Sequence, residues 1–296
     1  MVGSSIVRLL KKKEFENIYV TSSCELDLRN QQQVKKFFSN NSFDYVFLAA
    51  AKVGGIFANS TKKAEFIYDN LLIQSNVIHE SFANNVKKLL FLGSSCIYPR
   101  NTEIPINEEQ LLNGELEKTN DAYAIAKIAG IKMCQAYREQ YGFNAISVMP
   151  TNLYGFNDNF DLKSSHVIPA LINKFINAKK NKEENVACWG TGKPLREFLY
   201  VDDLADSLYF LMNNYNDSQH INVGTGKDIS IYDLANLIRE LSGYNGDIIW
   251  DKTKPDGTYR KVLDTTKIND LGWKHHTSLE EGLKKTIEWY KKNINV

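Results

Sequence analysis

The chain has 296 residues, of which 43% are hydrophobic and 24% are charged, and its formal net charge is +1 at pH 7. This length is sufficient for one large α/β domain with a smaller lobe and a substantial buried core. The small net charge excludes a strongly polyanion-seeking protein, so nucleic acid is not an expected partner. The sequence contains no apolar run of about 18–20 residues and no signal-peptide pattern, which favours a cytoplasmic protein with no membrane partner.

Neither the cysteines nor the histidines show the spacing of a disulfide framework or a zinc site. We predict free thiols and no metal. The cysteines are Cys24, Cys96, Cys134 and Cys188. Four histidines are interpreted as structural or surface residues, namely His79, His220, His275 and His276.

Short apolar runs alternate with longer helical patterns through the first half of the chain. In chain order these segments are 17–23, 32–41, 44–51, 62–84, 87–95, 121–141 and 145–150. The alternation predicts a parallel sheet with helices on both faces, which is a Rossmann-like, doubly wound α/β fold. Two of the strands are apolar throughout, as expected for strands that are buried on both sides.

The opening sequence MVGSSIVRLL has the pattern of the last glycine of a dinucleotide-binding fingerprint, Gly3, followed by its helix. The strand and the earlier glycines of this fingerprint are lacking before Gly3. The alternative is that the fold never had them. We therefore expect the first strand to be missing and the chain as written to bind a nicotinamide cofactor poorly. Roughly a dozen added residues that supply a strand and a glycine-rich turn should restore this binding.

The second half of the chain predicts a smaller lobe interleaved with the first domain. Strand and helix patterns return at 197–212 and 220–226 after a loop-rich stretch. We assign 1–160, with 197–224 returning to it, to a nicotinamide-cofactor-binding domain. Segments 161–196 and 225–296 are assigned to a substrate-binding lobe.

Tyr123 and Lys127 lie four residues apart in a helical pattern, so that both side chains share one helix face. A neighbouring ammonium favours the phenolate, and we expect it to bring the phenol closer to the pH at which it exchanges a proton with a substrate oxygen. Ser94 and Ser95 follow an apolar strand, where sites of open α/β sheets form. A hydroxyl there would complete a trio that polarises a carbonyl group. Taken alone, such a Tyr–Lys pair is usually a surface pair.

Several motifs, in order along nearly the whole chain, resemble those of the GDP-L-fucose synthases, which are extended short-chain dehydrogenases/reductases. The motifs are GSSCIYP (93–99), YAIAKIAGIKM, PTNLYG (150–155), SHVIPALI (165–172), WGTGKPLREFLYVDDLA (189–205), HINVGTG (220–226) and KPDGTYRKVLD (254–264). The resemblance implies that the substrate is GDP-4-keto-6-deoxy-D-mannose. It further implies epimerisation at C3 and C5, and reduction of the C4 ketone with NADPH.

The resemblance also implies catalytic roles. Tyr123 would protonate the C4 oxygen, Lys127 would hold the nicotinamide ribose and tune Tyr123, and Ser94 would hydrogen-bond the C4 carbonyl. Cys96 and His166 would be the acid/base pair of the epimerisations, since thiol and imidazole both titrate close enough to neutral pH. In isolation, a cysteine after a buried strand and a single histidine are more often structural.

Binding residues are implied in the same way. The cofactor-binding set is Gly3, Leu92, Gly93, Ser94, Ser95, Lys127, Pro150, Thr151, Asn152, Leu153 and His166. The substrate-binding set is Lys174, Trp189, Arg196 and Asp256. Lys174 replaces a common arginine, so it keeps the charge and loses the planar fork of donors.

The choice between NADP and NAD depends on the resemblance alone. Ser22, Ser23 and Cys24 follow the second predicted strand, where NADP-binding relatives place arginine and NAD-binding proteins place an acidic residue. Asp202 and Asp203 could suggest a glycosidase, but they begin a helical pattern, where acidic residues act as caps and favour the helix dipole.

Three alternatives remain at this point. The chain could be a related enzyme, such as a GDP-L-colitose synthase or a GDP-heptose reductase, or a catalytically inactive binding protein with the same fold. The resemblance also implies a homodimer in which the helices at 62–84 and 121–141 of two subunits form a four-helix bundle.

Overall fold

The computed structural model describes residues 1–162, 164–254 and 256–294. The strands are β1 (Tyr45–Leu48), β2 (Lys88–Leu92), β3 (Ala145–Pro150), β4 (Asn152–Tyr154), β5 (Asn185–Trp189), β6 (Leu195–Tyr200), β7 (Ile221–Val223), β8 (Asp228–Ser230), β9 (Asp247–Asp251) and β10 (Arg260–Lys261). The helices are α1 (Val2–Lys12), α2 (Gln31–Asn40), α3 (Ile56–Thr61), α4 (Lys63–Ala83), α5 (Asp121–Tyr141), α6 (Val167–Asn181), α7 (Val201–Asn214), α8 (Ile231–Ser242), α9 (Thr266–Asp270) and α10 (Leu279–Asn293).

The first sheet is parallel and has the order β1-β2-β3-β7. Every residue of β2 and β3 is buried, which confirms the prediction of two strands covered on both faces. Helices α4 and α5 pack closely against each other beside this sheet. The doubly wound α/β fold is confirmed.

Segment 17–23 was expected to form a strand, and this prediction is wrong. In the described chain the segment has no regular secondary structure, and Tyr19 and Val20 are exposed. Strand β1 is the edge of the sheet order, and segment 17–23 forms no hydrogen-bonded ladder with it or with any other described strand. Apolar and β-branched residues favour a strand only where such a neighbour exists.

The remaining strands form two smaller units. Strands β10, β4 and β8 all pair with β6, and β8 runs antiparallel to it. Strands β5 and β9 form a parallel pair. Although 197–224 was assigned to the first domain, β6 belongs to the second sheet by its hydrogen bonds, whereas β7 belongs to the first. The domain boundaries stay a prediction.

The acidic pair at the start of α7 links this helix to other segments. Asp203 accepts hydrogen bonds from the backbone N–H groups of His276 and Thr277, at 2.9 and 2.8 Å. Asp202 pairs with Arg8 of α1. Both carboxylates lie in the first turn, as expected, but neither caps the helix through its side chain.

None of the described helices is long and apolar enough to span a membrane.

Lys88, the first residue of β2, caps the end of α7 from within the core. Its Nζ donates to the backbone carbonyl groups of Leu211, Met212 and Tyr215, at 3.2, 2.6 and 2.6 Å. Burial lowers the pKa of Lys88 to about 8. The Leu211 carbonyl also accepts from the Tyr215 N–H at 3.0 Å, whereas the Met212 carbonyl is among those that a helix leaves without an intrahelical partner at its C-terminus. A single buried ammonium therefore connects the sheet to the end of this helix.

We expect Lys88→Met to lower the free energy of unfolding by about 2–4 kcal/mol, because it leaves buried carbonyl groups without donors. Chemical denaturation followed by circular dichroism measures this change. Lys35→Met, on the exposed face of α2, is the matched control and should change stability by less than about 0.5 kcal/mol. Equal stability of the two variants would contradict the capping role.

Candidate functional site

The carboxyl ends of β2 and β3 lie side by side and bring most of the predicted site together. Leu92 at the end of β2 pairs in register with Val148 of β3. The Gly93 N–H donates to the Val148 carbonyl at 2.8 Å. A Cβ atom on Gly93 would lie 2.2 Å from Cε of Met149, the flexible end of a side chain, so a larger residue at this position would require the Met149 side chain to move.

Ser94 and Cys96 follow β2 in a short 3₁₀ turn, Ser95–Ile97. The Ser94 hydroxyl accepts a hydrogen bond from the Cys96 backbone N–H at 3.3 Å, which fixes the first turn after the strand. Ser95 is buried. The two predicted catalytic side chains of this motif therefore sit at the edge of the sheet where parallel strands end, as expected.

Tyr123 and Lys127 reach this edge from α5, and both are buried. The Lys127 Nζ donates to the Leu92 carbonyl at 2.8 Å. It also lies 4.9 Å from the centre of the Phe91 ring and 5.9 Å from that of Tyr123. The structure thus brings Ser94, Cys96, Tyr123 and Lys127 together.

The expected effect of Lys127 on Tyr123 is not observed. Burial raises the pKa of Tyr123, a negative charge on Cys96 acts in the same direction, and the Ser94 hydroxyl only partly opposes them. Burial also lowers the pKa of Lys127 to about 7, so its ammonium is only partly populated at neutral pH. In this site desolvation outweighs the attraction between ammonium and phenolate, and the phenol remains protonated and able to donate a proton.

Two residues near Cys96 were not identified from the sequence. The Asn120 Nδ2 donates to the Cys96 Sγ at 3.5 Å, and the Lys261 Nζ lies 3.9 Å from the same sulfur atom. Asn120 immediately precedes α5, and Lys261 belongs to β10 of the second sheet. An asparagine before a helix suggests only a cap, and nothing in the sequence near Lys261 relates it to Cys96.

His166 is set apart from this group. It precedes α6 and its ring is exposed, although the surrounding protein atoms lower its pKa by desolvation. The loop before it is held by a hydrogen bond from the Gly55 N–H to the Ser164 carbonyl at 3.0 Å. A Cβ atom on Gly55 would lie 2.6 Å from the Ser165 carbonyl oxygen, so glycine is needed for this close approach.

The four predicted substrate-binding residues form a second group. Trp189, 53% exposed, lies at the end of β5, and the Lys174 Nζ is 6.0 Å from its ring centre. Lys174 donates to the Ala187 carbonyl at 2.7 Å, so its ammonium is held against the backbone. Burial lowers the pKa of Arg196, and the carboxylate of Asp256 opposes this shift.

Asp256 is joined to the strand end by the turn that follows Trp189. Its carboxylate accepts hydrogen bonds from the Thr191 N–H and hydroxyl group, at 2.7 and 2.8 Å. Gly190 has φ +80°, and a Cβ atom there would lie 2.2 Å from the Asp256 Oδ1. This turn therefore places the Asp256 carboxylate directly after Trp189, and Arg196 faces the same carboxylate.

Glu197 of β6 is a further residue that the sequence did not single out. It is fully buried, and its carboxylate accepts hydrogen bonds from the N–H groups of Thr225, Gly226 and Leu263, at 2.5, 2.8 and 2.8 Å. Burial raises its pKa. Glu197 ties the loop after β7 to the segment after β10. The REFLY pattern gives no sign of this, because the charged residue interrupts a strand that otherwise reads as apolar.

Most of the predicted cofactor-binding residues lie at the ends of β2 and β3 and at the start of α1, whereas Lys127 lies on α5 and His166 precedes α6. Thr151 and Asn152 are held by Glu197, whose backbone carbonyl accepts from both side chains at 3.3 and 2.8 Å. Gly3 lies in the first turn of α1, and open space surrounds the position of a Cβ atom there. The free N–H groups of a helix start can face a phosphate at such a position, so Gly3 is suitably placed for one phosphate of a dinucleotide.

The other histidines lie outside this site. His220 is buried against Tyr98, with 3.0 Å between the ring Nε2 and the hydroxyl, and burial lowers its pKa to about 4. His79 contacts the Tyr137 hydroxyl at 2.8 Å. Among residues 1–162, 164–254 and 256–294, no group of three or more His, Cys, Asp or Glu side chains could hold a metal ion.

Comparison with known proteins gives consistent results. Residues 1–224 match the NAD dependent epimerase/dehydratase family. The chain is 55% identical to GDP-L-fucose synthase 1 of Arabidopsis thaliana, covering 99% of this chain and 91% of the relative. It resembles the crystal structure of a GDP-6-OMe-4-keto-L-xylo-heptose reductase from C. jejuni, with TM-score 0.94, 40% identity and coverage of 98% and 94%. A GDP-L-fucose synthetase from Naegleria fowleri bound to NADP has TM-score 0.91, 31% identity and coverage of 100% and 92%.

The pKa of Lys127 provides a direct test of this site. In protein labelled with ¹³C at the lysine Cε, we expect one NMR signal to titrate near pH 7, to vanish in Lys127→Arg and to persist in Lys132→Arg. Because this pKa lies below the unfolded value of about 10.4, the unfolded chain binds more protons, and this group makes stability rise with pH between about 7 and 10.4. The unfavourable contribution is fully present below that window. A Lys127 signal with an ordinary midpoint would contradict the burial described here.

Proposed function

Because the chain belongs to the NAD dependent epimerase/dehydratase family, we propose that it converts GDP-4-keto-6-deoxy-D-mannose to GDP-L-fucose. The reaction comprises epimerisation at C3 and C5 and NADPH-dependent reduction at C4. The likeness to GDP-L-fucose synthases supports this proposal. The observation that carries it is the group formed by Ser94, Cys96, Tyr123 and Lys127 at the carboxyl end of β2, because this group combines a proton donor, a carbonyl-binding hydroxyl and a thiol.

In the reductive half, Tyr123 donates its proton to the C4 oxygen, and Ser94 hydrogen-bonds the same oxygen. Burial keeps the Tyr123 phenol protonated until the oxygen gains negative charge. Lys127 can then stabilise the phenolate, since its Nζ lies 5.9 Å from the ring centre. The Leu92 carbonyl holds Lys127 in this position. NADPH supplies the hydride when it is bound.

In the epimerising half, Cys96 removes a proton from the carbon next to the ketone, and His166 returns one to the opposite face. The ketone makes such a proton removable once Ser94 and Tyr123 polarise its oxygen. His166 has a lowered pKa, so its imidazole is mainly neutral at neutral pH. It must therefore take up a proton before it can donate one.

We propose that the cofactor is held by residues at the ends of β2 and β3, at the start of α1, on α5 and before α6. They are Gly3, Leu92, Gly93, Ser94, Ser95, Lys127, Pro150, Thr151, Asn152, Leu153 and His166. The GDP part is assigned to the group around Trp189, where Arg196 and Lys174 supply positive charge for the diphosphate and Asp256 can accept from donors of the ligand.

A homodimer and a cytoplasmic location are part of the proposal. The exposed side chains of Tyr68 on α4, and of Ile125 and Tyr141 on α5, support an interface formed by these two helices. We expect it to join two subunits in a four-helix bundle.

Reduction of a GDP-heptose is the second candidate, because the structure of the C. jejuni heptose reductase resembles this chain closely. The higher identity to a GDP-L-fucose synthase favours the first candidate. Incubation with GDP-4-keto-6-deoxy-D-mannose and NADPH, with product analysis by NMR, decides between them. GDP-L-fucose is the expected product, and lack of turnover of this keto-sugar would contradict the proposal.

Tyr123→Phe should lower turnover by roughly 10²–10⁴-fold, because it removes the proton donor and retains the ring. NADPH oxidation with the keto-sugar measures this effect. Tyr137 lies on the same helix, and its hydroxyl contacts His79. Tyr137→Phe therefore serves as the matched control and should retain the parent rate. Near-normal turnover in Tyr123→Phe would show that another group is the acid.

Cys96→Ser should abolish most of the proton abstraction, because a hydroxyl is scarcely ionised at neutral pH whereas a thiol partly is. In D₂O without NADPH, the parent enzyme should exchange the C3 and C5 hydrogens of the keto-sugar, and the variant should exchange them at least about 10-fold more slowly. Cys24→Ser, at an exposed cysteine, is the control. Unchanged exchange and pure GDP-L-fucose from Cys96→Ser would return Cys96 to a packing role.

A further inference from the structure

Asn120 occupies a capping position but does not cap its helix. At the residue before a helix, an asparagine side chain usually accepts a hydrogen bond from one of the first free N–H groups. Here the Asn120 side chain makes no such bond. Asp121 accepts from the Ala122 N–H at 2.7 Å instead. The Asn120 carboxamide is turned towards Cys96, with Nδ2 3.5 Å from Sγ.

The other end of the same carboxamide has no partner. The Asn120 Oδ1 is buried, and no donor reaches it from the described ranges of the chain. A buried acceptor without a donor is unfavourable. The stability of α5 therefore gives no reason for this orientation, whereas the contact with Cys96 does. The free Oδ1 is also available to a hydroxyl group of a ligand beside the sulfur atom.

A positive charge approaches the same sulfur atom from another sheet. The Lys261 Nζ lies 3.9 Å from the Cys96 Sγ. Tyr123 is the titratable group that faces the sulfur from α5, and a charge on Cys96 raises its pKa. Ser94 is the neutral hydroxyl next to it in the 3₁₀ turn. An amide donor and an ammonium thus face a sulfur atom that is close to a phenol.

We propose that Asn120 is a positioning residue for proton abstraction: with Lys261, it holds Cys96 as a thiolate directed at the C–H group next to the substrate ketone. This inference rests on the proposed function. In the step, the sulfur atom gains the proton and an S–H bond forms as the C–H bond breaks. The electron pair of that bond moves into the enolate, whose oxygen faces Ser94 and Tyr123. No oxidant or reductant takes part.

Asn120→Leu separates this role from a structural one. The Asn120 side chain does not cap α5, so a purely structural role gives no reason for leucine to slow the thiol, whereas loss of the amide donor does. Asn120→Asp tests the same contact through charge. Aspartate caps a helix as well as asparagine does and favours the dipole, so thermal stability should be unchanged or higher, but a carboxylate next to the sulfur atom opposes a thiolate.

The measurement is the rate of alkylation of Cys96 by iodoacetamide at pH 7, read by peptide mass in a Cys24→Ser background because Cys24 is exposed. We expect Asn120→Asp to react at least about 10-fold more slowly, in line with a like charge nearby. Asn120→Leu and Lys261→Met should also react more slowly, and Lys261→Arg should keep most of the rate. The exposed Asn113→Asp is the matched control and should react like the parent.

The same variants are then tested for exchange of the C3 and C5 hydrogens in D₂O without NADPH, and the order of rates should follow that of alkylation. Parent-like alkylation in Asn120→Leu would overturn the proposal, as would faster alkylation in that variant, which would mean that Oδ1 faces the sulfur. If the parent exchanges no hydrogen of the keto-sugar, the proposed function fails, whereas the alkylation rates still decide whether Asn120 and Lys261 stabilise the thiolate.

Discussion

The hydrogen bond from the Lys127 ammonium to the Leu92 carbonyl, at 2.8 Å, is the contact on which the site depends. It joins α5, which carries Tyr123, to the end of β2, from which Ser94 and Cys96 follow. Since Lys127 is buried, its charge is costly, and this cost appears as a pKa of about 7. Burial of this ammonium is unfavourable for stability, but it places a donor at the sheet edge, where the proposed reaction can use it.

The parts of the fold that were predicted well have local causes. The helix over 121–141 is observed with the same limits, because Asp121 lies in its first turn and Gly142, with φ +69°, ends it in the left-handed region. The strand over 145–150 is likewise found as predicted, since an apolar run between two turns is sufficient to define it. Segment 17–23 has a comparable composition, but a strand also needs a neighbour, and sequence composition does not provide this information.

The residues of the candidate site differ in the same respect: some have a local sequence pattern and others do not. Ser94, Tyr123 and Lys127 belong to short motifs, so the sequence identifies them together. Asn120 and Lys261 contact Cys96 from 24 and 165 positions away along the chain. Contacts of this kind depend on how helix, sheet and lobe pack, and an Asn or a Lys in a loop or a short strand has no local pattern that distinguishes it from a solvated residue.

Cys96 lies where a side chain of the second sheet contacts the turn after β2. Lys261 reaches it from β10, and the segment after β10 is held by Ile106: the Ile106 N–H donates to the Val262 carbonyl at 2.9 Å, and the Ile106 carbonyl accepts from the Asp264 N–H at 2.8 Å. Ser94, Tyr123 and Lys127, in contrast, all belong to β2, its following turn and α5. The groups proposed for reduction are therefore contained in the turn after β2 and in α5, whereas the thiol proposed for epimerisation receives a positive neighbour, Lys261, from the second sheet.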